Sequence, residues 1–124
     1  MDKIIEIINK NLNGYVSKLE VVTNNIANIE TPNYKRREFV FEDILNEVKL
    51  QLKTTNEKHI KGIKSTYSNG KIVIDQSSPS RADGNNVILE REIKDLNEIQ
   101  VMYQSLIKML NYILRGRKIS IGGK

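Results

Sequence analysis

The sequence predicts a mainly α protein. Two long helices at the N- and C-terminal ends should pair as a coiled coil, with a short central helix and a small irregular or β-hairpin segment between them. Two heptad patterns and one abrupt stop carry this expectation. Met1, Ile5, Ile8, Leu12, Tyr15, Leu19, Val22, Ile26 and Ile29 alternate at spacings of four and three, the a/d signature of a helix–helix seam. Leu89, Leu96, Ile99, Tyr103, Leu106, Leu110 and Ile113 form a second seam, with Glu92 at its one missing heptad site beside Ile93. Between the two, Pro32 biases Thr31 out of the helical region and ends the first pattern.

The first helix should run from Asp2 to about Asn28. Its own propensity is weak: Asn9, Asn11, Asn13 and Gly14 cluster near its middle, and Thr23, Asn24 and Asn25 weaken its end. Thr31-Pro32-Asn33-Tyr34 then reads as a turn, with Pro32 fixing φ and Asn33 able to take positive φ. Lys35, Arg36 and Arg37 follow as a cationic strip. They are either solvated or paired with acidic groups such as Glu90 or Glu92 of a neighbouring subunit.

In the middle of the chain, Phe41, Ile44, Leu45, Val48 and Leu52 share one face of a short helix. Asn69-Gly70 suits a type I′ turn, so a hairpin is expected between short strands within 65–74. Ser77-Ser78-Pro79-Ser80 reads as loop. After the turn-forming Asp83-Gly84, the second long helix should begin with Asn85 or Asn86 as its N-cap, and Gly116 should stop it. Pairing along one seam would leave apolar flanks wet: Ile4, Ile7, Val16 and Val21 on the first helix, and Met102, Ile107, Met109 and Leu114 on the second. Complete helix formation is therefore expected to be coupled to assembly with other chains. The competing expectation is a compact bundle in which the central helix covers the flanks.

The segment Asn24-Asn25-Ile26-Ala27-Asn28, followed by Thr31-Pro32 and Tyr34-Lys35, closely resembles the N-terminal signature of bacterial flagellar rod, hook and hook–filament junction proteins. It departs at Asn33, where that family usually has Gly. Asp83-Gly84-Asn85-Asn86-Val87-Ile88-Leu89-Glu90-Arg91-Glu92 is similar to a segment of the proximal-rod members, departing at Ile88, where an acidic residue is common. The stretch from Thr54 to Ile60, with His59-Ile60, is similar to those members as well.

The resemblance implies a structural subunit of the basal-body rod. It would be exported through the flagellar type III apparatus without a cleaved signal peptide and would polymerise in the periplasmic rod. The implied partners are further copies of itself, rod proteins of the FlgC, FlgF and FlgG type, the adaptor FliE and the export gate. The resemblance and the seams together single out Ile5, Ile8, Leu12, Tyr15, Leu19, Val22, Asn24, Asn25, Ile26, Asn28, Thr31, Pro32, Tyr34 and Lys35 as assembly residues. From the second helix they add Leu96, Ile99, Tyr103, Leu106, Leu110 and Ile113. Three segments are expected within one structural unit: 1–31, 32–82 and 83–124.

Composition narrows the other classes. With no cysteine there is no disulfide, thiolate metal site or cysteine nucleophile. With one histidine, His59, there is no histidine pair for a metal. The serines lack a nucleophile-elbow pattern and the glycines form no phosphate loop, so no enzyme, cofactor or metal site is expected. No apolar run approaches a membrane span and no secretory h-region follows Met1, so no direct membrane insertion is expected. The net charge of +5 admits nucleic acid, but the Lys35-Arg36-Arg37 strip follows a turn and does not lie on a recognition helix. Nucleic-acid binding is therefore not expected. A cytosolic coiled-coil adaptor remains an alternative, and a small basic DNA-binding protein a weaker one.

Overall fold

The computed structural model describes residues 2–41 and 70–121. In chain order its elements are helix α1 (Asp2–Ala27), strand β1 (Arg37–Val40), strand β2 (Lys71–Ile74) and helix α2 (Leu89–Ile121). The two long terminal helices and the small antiparallel two-stranded sheet between them give the mainly helical fold the sequence predicts. Helix α1 packs against both α2 and β1.

The helices meet asymmetrically. On α1 a broad face is buried, including Ile4, Ile7, Ile8, Leu12, Tyr15, Val21 and Val22. Among the side chains described on α2 (89–116), Glu92, Ile99, Leu106 and Ile113 are the buried ones, one residue every seven. That is a single heptad stripe laid against a wider trough. Leu96 and Leu110 pack beside it half-buried, as do Ile5 and Ile26 on α1. Leu19, Leu89 and Tyr103 stay exposed and lie outside the core, contrary to their assignment to the seams. The flanking residues Ile4, Ile7 and Val21, expected to be wet in a lone chain, are buried within it, whereas Val16 and Leu114 are exposed.

The weak middle of α1 has a packing explanation. A Cβ on Gly14 would lie 2.6 Å from the ring of Phe41, so the glycine is the socket for that ring. The same ring stands edge-on to Tyr15, with centroids 4.9 Å apart, an arrangement favoured by the aromatic quadrupoles. Asn11 is buried, and its Nδ2 has no hydrogen-bond partner among the described residues.

Two further expectations are corrected, the start and the stop of the second long helix. Strand β2 exists and pairs with β1, with Arg37 opposite Ile74 and Val40 opposite Lys71. The segment following the cationic strip was not read as a strand because Arg37-Glu38-Phe39-Val40 is short and half charged. Helix α2 begins at Leu89 and not at Asn85 or Asn86, because both asparagine side chains are engaged elsewhere (below). Its first helical N–H bond runs from Glu92 to the Ile88 carbonyl. It passes through Gly116 to Ile121, since a glycine permits termination but does not enforce it. The proposed central helix beyond Phe41, the strand preceding Asn69 and His59 lie outside the described residues.

Leu106→Ala empties a position of the buried stripe and is expected to cost about 2–5 kcal/mol in urea unfolding. Tyr112→Ala on the outer face of α2 is expected to stay within about 0.5 kcal/mol.

Candidate functional site

The residues that carry the sequence signatures converge on one buried polar cluster at the junction of α1, the two strands and α2. Helix α1 ends in a turn at 28–33, where Asn33 takes φ 63°, the positive value its sequence position called for. The Asn33 N–H donates to the Asp83 carbonyl at 2.8 Å, and Gly84 sits directly over it. Gly84 has φ +84°, and a Cβ there would lie 2.4 Å from Asn33 Oδ1, so two conditions demand glycine. The two turns thus stack, one from each signature segment.

Asparagine side chains do most of the joining. Asn25 is fully buried and makes four hydrogen bonds. Its Nδ2 donates to the Arg37 carbonyl at 2.7 Å and to Glu92 Oε2 at 3.2 Å. Its Oδ1 accepts from the Arg37 N–H at 2.9 Å and from the Tyr34 hydroxyl at 3.0 Å. The amide therefore pairs with the outer edge of β1 as a neighbouring strand would. Asn85 Nδ2 reaches the carbonyls of Asn28, Ile29 and Thr31, satisfying acceptors left over at the end of α1. Its Oδ1 accepts from the Val87 N–H. Asn86 is inserted between the strands, accepting from the Arg36 N–H at 2.5 Å and donating to the Asp75 carbonyl at 2.8 Å.

At the centre lies Arg36, about 1% exposed. Its Nε donates to Glu92 Oε1 at 2.9 Å and its Nη1 to Asp75 Oδ2 at 3.2 Å. Asp95 and Glu38 stand at 3.7 and 3.8 Å. Burial alone would depress the Arg36 pKa, but the hydrogen bonds it donates to Glu92 and Asp75, with the nearby carboxylate charges, outweigh that and raise it. Asp75 is held well below the usual carboxylate range, first by the Ser78 hydroxyl and then by the Ser78 N–H, Arg36 and the Ser77 N–H, against its burial. Those serine bonds also order the segment expected as plain loop. Burial pushes the Tyr34 hydroxyl up.

The strip Lys35-Arg36-Arg37 is therefore neither a uniform solvated face nor paired as a unit with a neighbour. Arg36 pairs with Glu92 inside its own chain. Lys35 donates to the Gly84 carbonyl and the Ser80 hydroxyl, and Arg37 lies over the Tyr34 ring. Among the residues singled out for assembly, Ile8, Leu12, Tyr15, Val22, Asn25, Ile99, Leu106 and Ile113 are buried. Ile5, Ile26, Asn28, Tyr34, Lys35, Leu96 and Leu110 are half-buried. Leu19, Asn24, Thr31, Pro32 and Tyr103 are exposed. Arg36, Asp75, Asn85, Asn86 and Glu92 were not singled out. The available signal was Glu92, a charge at a heptad position that burial would otherwise reserve for an apolar side chain. Among the described residues no acidic or histidine group is arranged to hold a metal. No described helix is long and apolar enough to cross a membrane.

Removing Arg36 strands a fully buried carboxylate. Arg36→Met is expected to cost about 3–5 kcal/mol in chemical unfolding, and Arg36→Met/Glu92→Met to recover most of that loss. The Asp75 carboxylate has its folded pKa below its unfolded one. Its contribution is present above about pH 4 and lost as pH falls further, so Asp75→Asn is expected to flatten the acid limb of stability against pH.

Comparison with known proteins follows the same residues. Residues 16–35 match the family model described as flagella basal body rod protein. The chain is 36% identical over 110 residues to the flagellar basal body rod protein FlgB of Bacillus subtilis (strain 168), covering 86% of this chain and 84% of that one. It is 30% identical over 120 residues to that of Aquifex aeolicus (strain VF5), covering 91% and 94%. It is 38% identical over 112 residues to that of Borreliella burgdorferi, covering 77% and 83%. With likeness along most of both chains, and with both signature segments folded into one cluster, this chain belongs to the flagellar basal body rod protein FlgB family.

Proposed function

We propose that the chain is an axial subunit of the proximal rod, polymerising through the outward faces of its terminal helices. As a member of this family it is a structural subunit of the flagellar rod and serves motility by bearing load, with no catalytic role. Export through the flagellar type III apparatus, without a cleaved signal peptide, would deliver it to the periplasmic rod. There its neighbours would be copies of itself, rod proteins of the FlgC, FlgF and FlgG type, the adaptor FliE and the export gate. The segments 1–31 and 83–124 would supply the contact surfaces, and 32–82 the link between them.

One observation carries this reading. The polar cluster uses the signature segments to fix where α1 and α2 leave their shared junction, while apolar side chains remain on the outside of both helices. On α2 Leu89, Ile93, Tyr103 and Leu114 repeat along one side next to the buried stripe, and Val101 and Tyr112 are exposed on another. On α1 they are Val16 and Leu19. A monomer has no use for a row of half-exposed apolar groups along a helix, whereas a tube of packed helices does.

The test is replacement of the resident rod protein in Bacillus subtilis by this chain carrying Ile93→Asp and Tyr103→Asp. The reading expects the purified variant to keep its helix content and unfolding midpoint while swimming and rod assembly are lost. Normal swimming with both charges in place would overturn it. A cytosolic adaptor would instead give a stable helical dimer or trimer in isolation, with no effect of the variant on the rod.

A further inference from the structure

The exposed apolar rows of α1 and α2 border one groove. With successive residues turned by about 100°, Gly14 and Asn25 of α1 point toward Phe41 and β1, and Val16 and Leu19 fall on the opposite flank of its contact with α2. On α2, Arg91 and Asp95 turn toward Asp75 and Arg36, while Leu89, Ile93, Tyr103 and Leu114 fall on the opposite flank. Both rows therefore lie on the face of the helix pair turned away from the sheet. Helix α1 has 26 residues, about 39 Å of axis, and two helices side by side are about 20 Å across. Such a face offers roughly 800 Å² to a partner, the share that each side of a stable complex contributes.

We infer that in the free subunit this face is covered by the same face of a second copy, in a four-helix bundle whose twofold axis runs along the helices. The inference rests on the reading above, which makes this a contact face, and adds its partner before assembly. Asn25 meets Glu92 where the helices join, and from there the two run antiparallel. Equal counts from that pair put Glu20 level with Asn97, Asn13 with Gln104 and Glu6 with Asn111. A rotation about an axis parallel to the helices keeps every height, so α1 of one copy faces α2 of the other in this same order. Leu19 then lies between Leu96 and Tyr103 of the second copy, and Ile26 beside its Ile93.

The polar borders of the face match as well. On α1 they are the exposed Glu6, Asn13 and Glu20, and on α2 the exposed Asn97, Gln104 and Asn111, each set one residue in seven. The rotation brings Glu20 against Asn97, Asn13 against Gln104 and Glu6 against Asn111, so each carboxylate meets an amide donor and no like charges oppose at these levels. Glu6 keeps its own-helix partner Lys10, at 3.3 Å. A twofold axis across the helices would instead lay α1 on α1 and, centred on Asn13, set Glu6 against Glu20. A twofold contact closes on itself and cannot propagate. The dimer therefore withholds the assembly face, and it must part before the subunit joins a polymer.

The chain has no cysteine, so introduced pairs report the contact cleanly. Within one chain positions 20 and 97 lie on the far sides of the two helices, whereas between copies they meet. Glu20→Cys/Asn97→Cys, treated with a short bismaleimide, is expected to give covalent dimers about tenfold faster than Glu20→Cys/Asn111→Cys, whose second site is two heptads, about 21 Å, further along. Sedimentation of the unmodified chain should show a reversible monomer–dimer equilibrium between about 10 μM and 1 mM. Leu19→Asp should abolish it with helix content by circular dichroism unchanged, and Val101→Asp, exposed on another side of α2, should leave it intact. Equal crosslinking of the two cysteine pairs, a ladder beyond the dimer, or a single monomeric species throughout that range would overturn the inference. So would a dimer that survives dilution to about 10 nM, the stable form of an adaptor. A monomeric subunit whose Ile93→Asp/Tyr103→Asp variant still loses swimming removes the dimer alone and leaves the rod reading standing. Normal swimming of that variant overturns the rod reading and the inference with it.

Discussion

Arg36 and Glu92 form an ion pair that water does not reach, and the rest of the junction is arranged around it. Two charges withdrawn from solvent are costly unless every lone pair and proton finds a partner. Here Glu92 is bound by Arg36 through one oxygen and by Asn25 through the other, while Arg36 also holds Asp75. Asn25 in turn binds both backbone groups of Arg37. The pair can form only if α1 ends at the right place, the Pro32 turn redirects the chain, β1 and β2 register correctly and α2 begins three residues before Glu92. Such a pair contributes little net stability and a great deal of geometric definition, because any misplacement leaves a buried charge unsatisfied.

This constraint divides labour within the chain. Apolar burial along the α1 trough and the Glu92, Ile99, Leu106 and Ile113 stripe holds the helices together, but a sliding heptad contact does not by itself fix register. The buried polar junction does, as a lone polar residue does in a coiled-coil seam. The register so fixed decides which apolar side chains face outward. In the assembly proposed above those outward faces would meet other subunits, so a polar lock inside one chain would set the surface offered to the polymer.

Much of this was legible in the residues. The two helices followed from their heptads, and the break at Thr31-Pro32 and the positive φ at Asn33 followed from backbone sterics. The pairing of β2 with β1 was not legible, because strand pairing is non-local and the two strands lie more than thirty residues apart in the chain. The start of α2 was misread because an asparagine ahead of an apolar run suits an N-cap equally well whether or not its side chain is bound elsewhere. Asn85 and Asn86 are committed across the junction, to groups 57 and 50 residues away in the chain. Arg36 was read with its basic neighbours as one strip, since three adjacent cations look alike until the β alternation turns the middle one inward and leaves Arg37 outside. The one clue was a glutamate in a seam, and charge at a buried heptad position is a direct request for a partner.

The central claim is that the signature segments lock onto each other within a single chain before any assembly. Hydrogen exchange of the dilute subunit tests it most directly, read at the amide N–H groups of Arg36, Arg37 and Asn86. The account predicts slow exchange at these three sites, unchanged on further dilution, and faster exchange in Glu92→Gln. Exchange at the rate of an unstructured peptide in the free subunit, with protection gained only in the assembled rod, would contradict it.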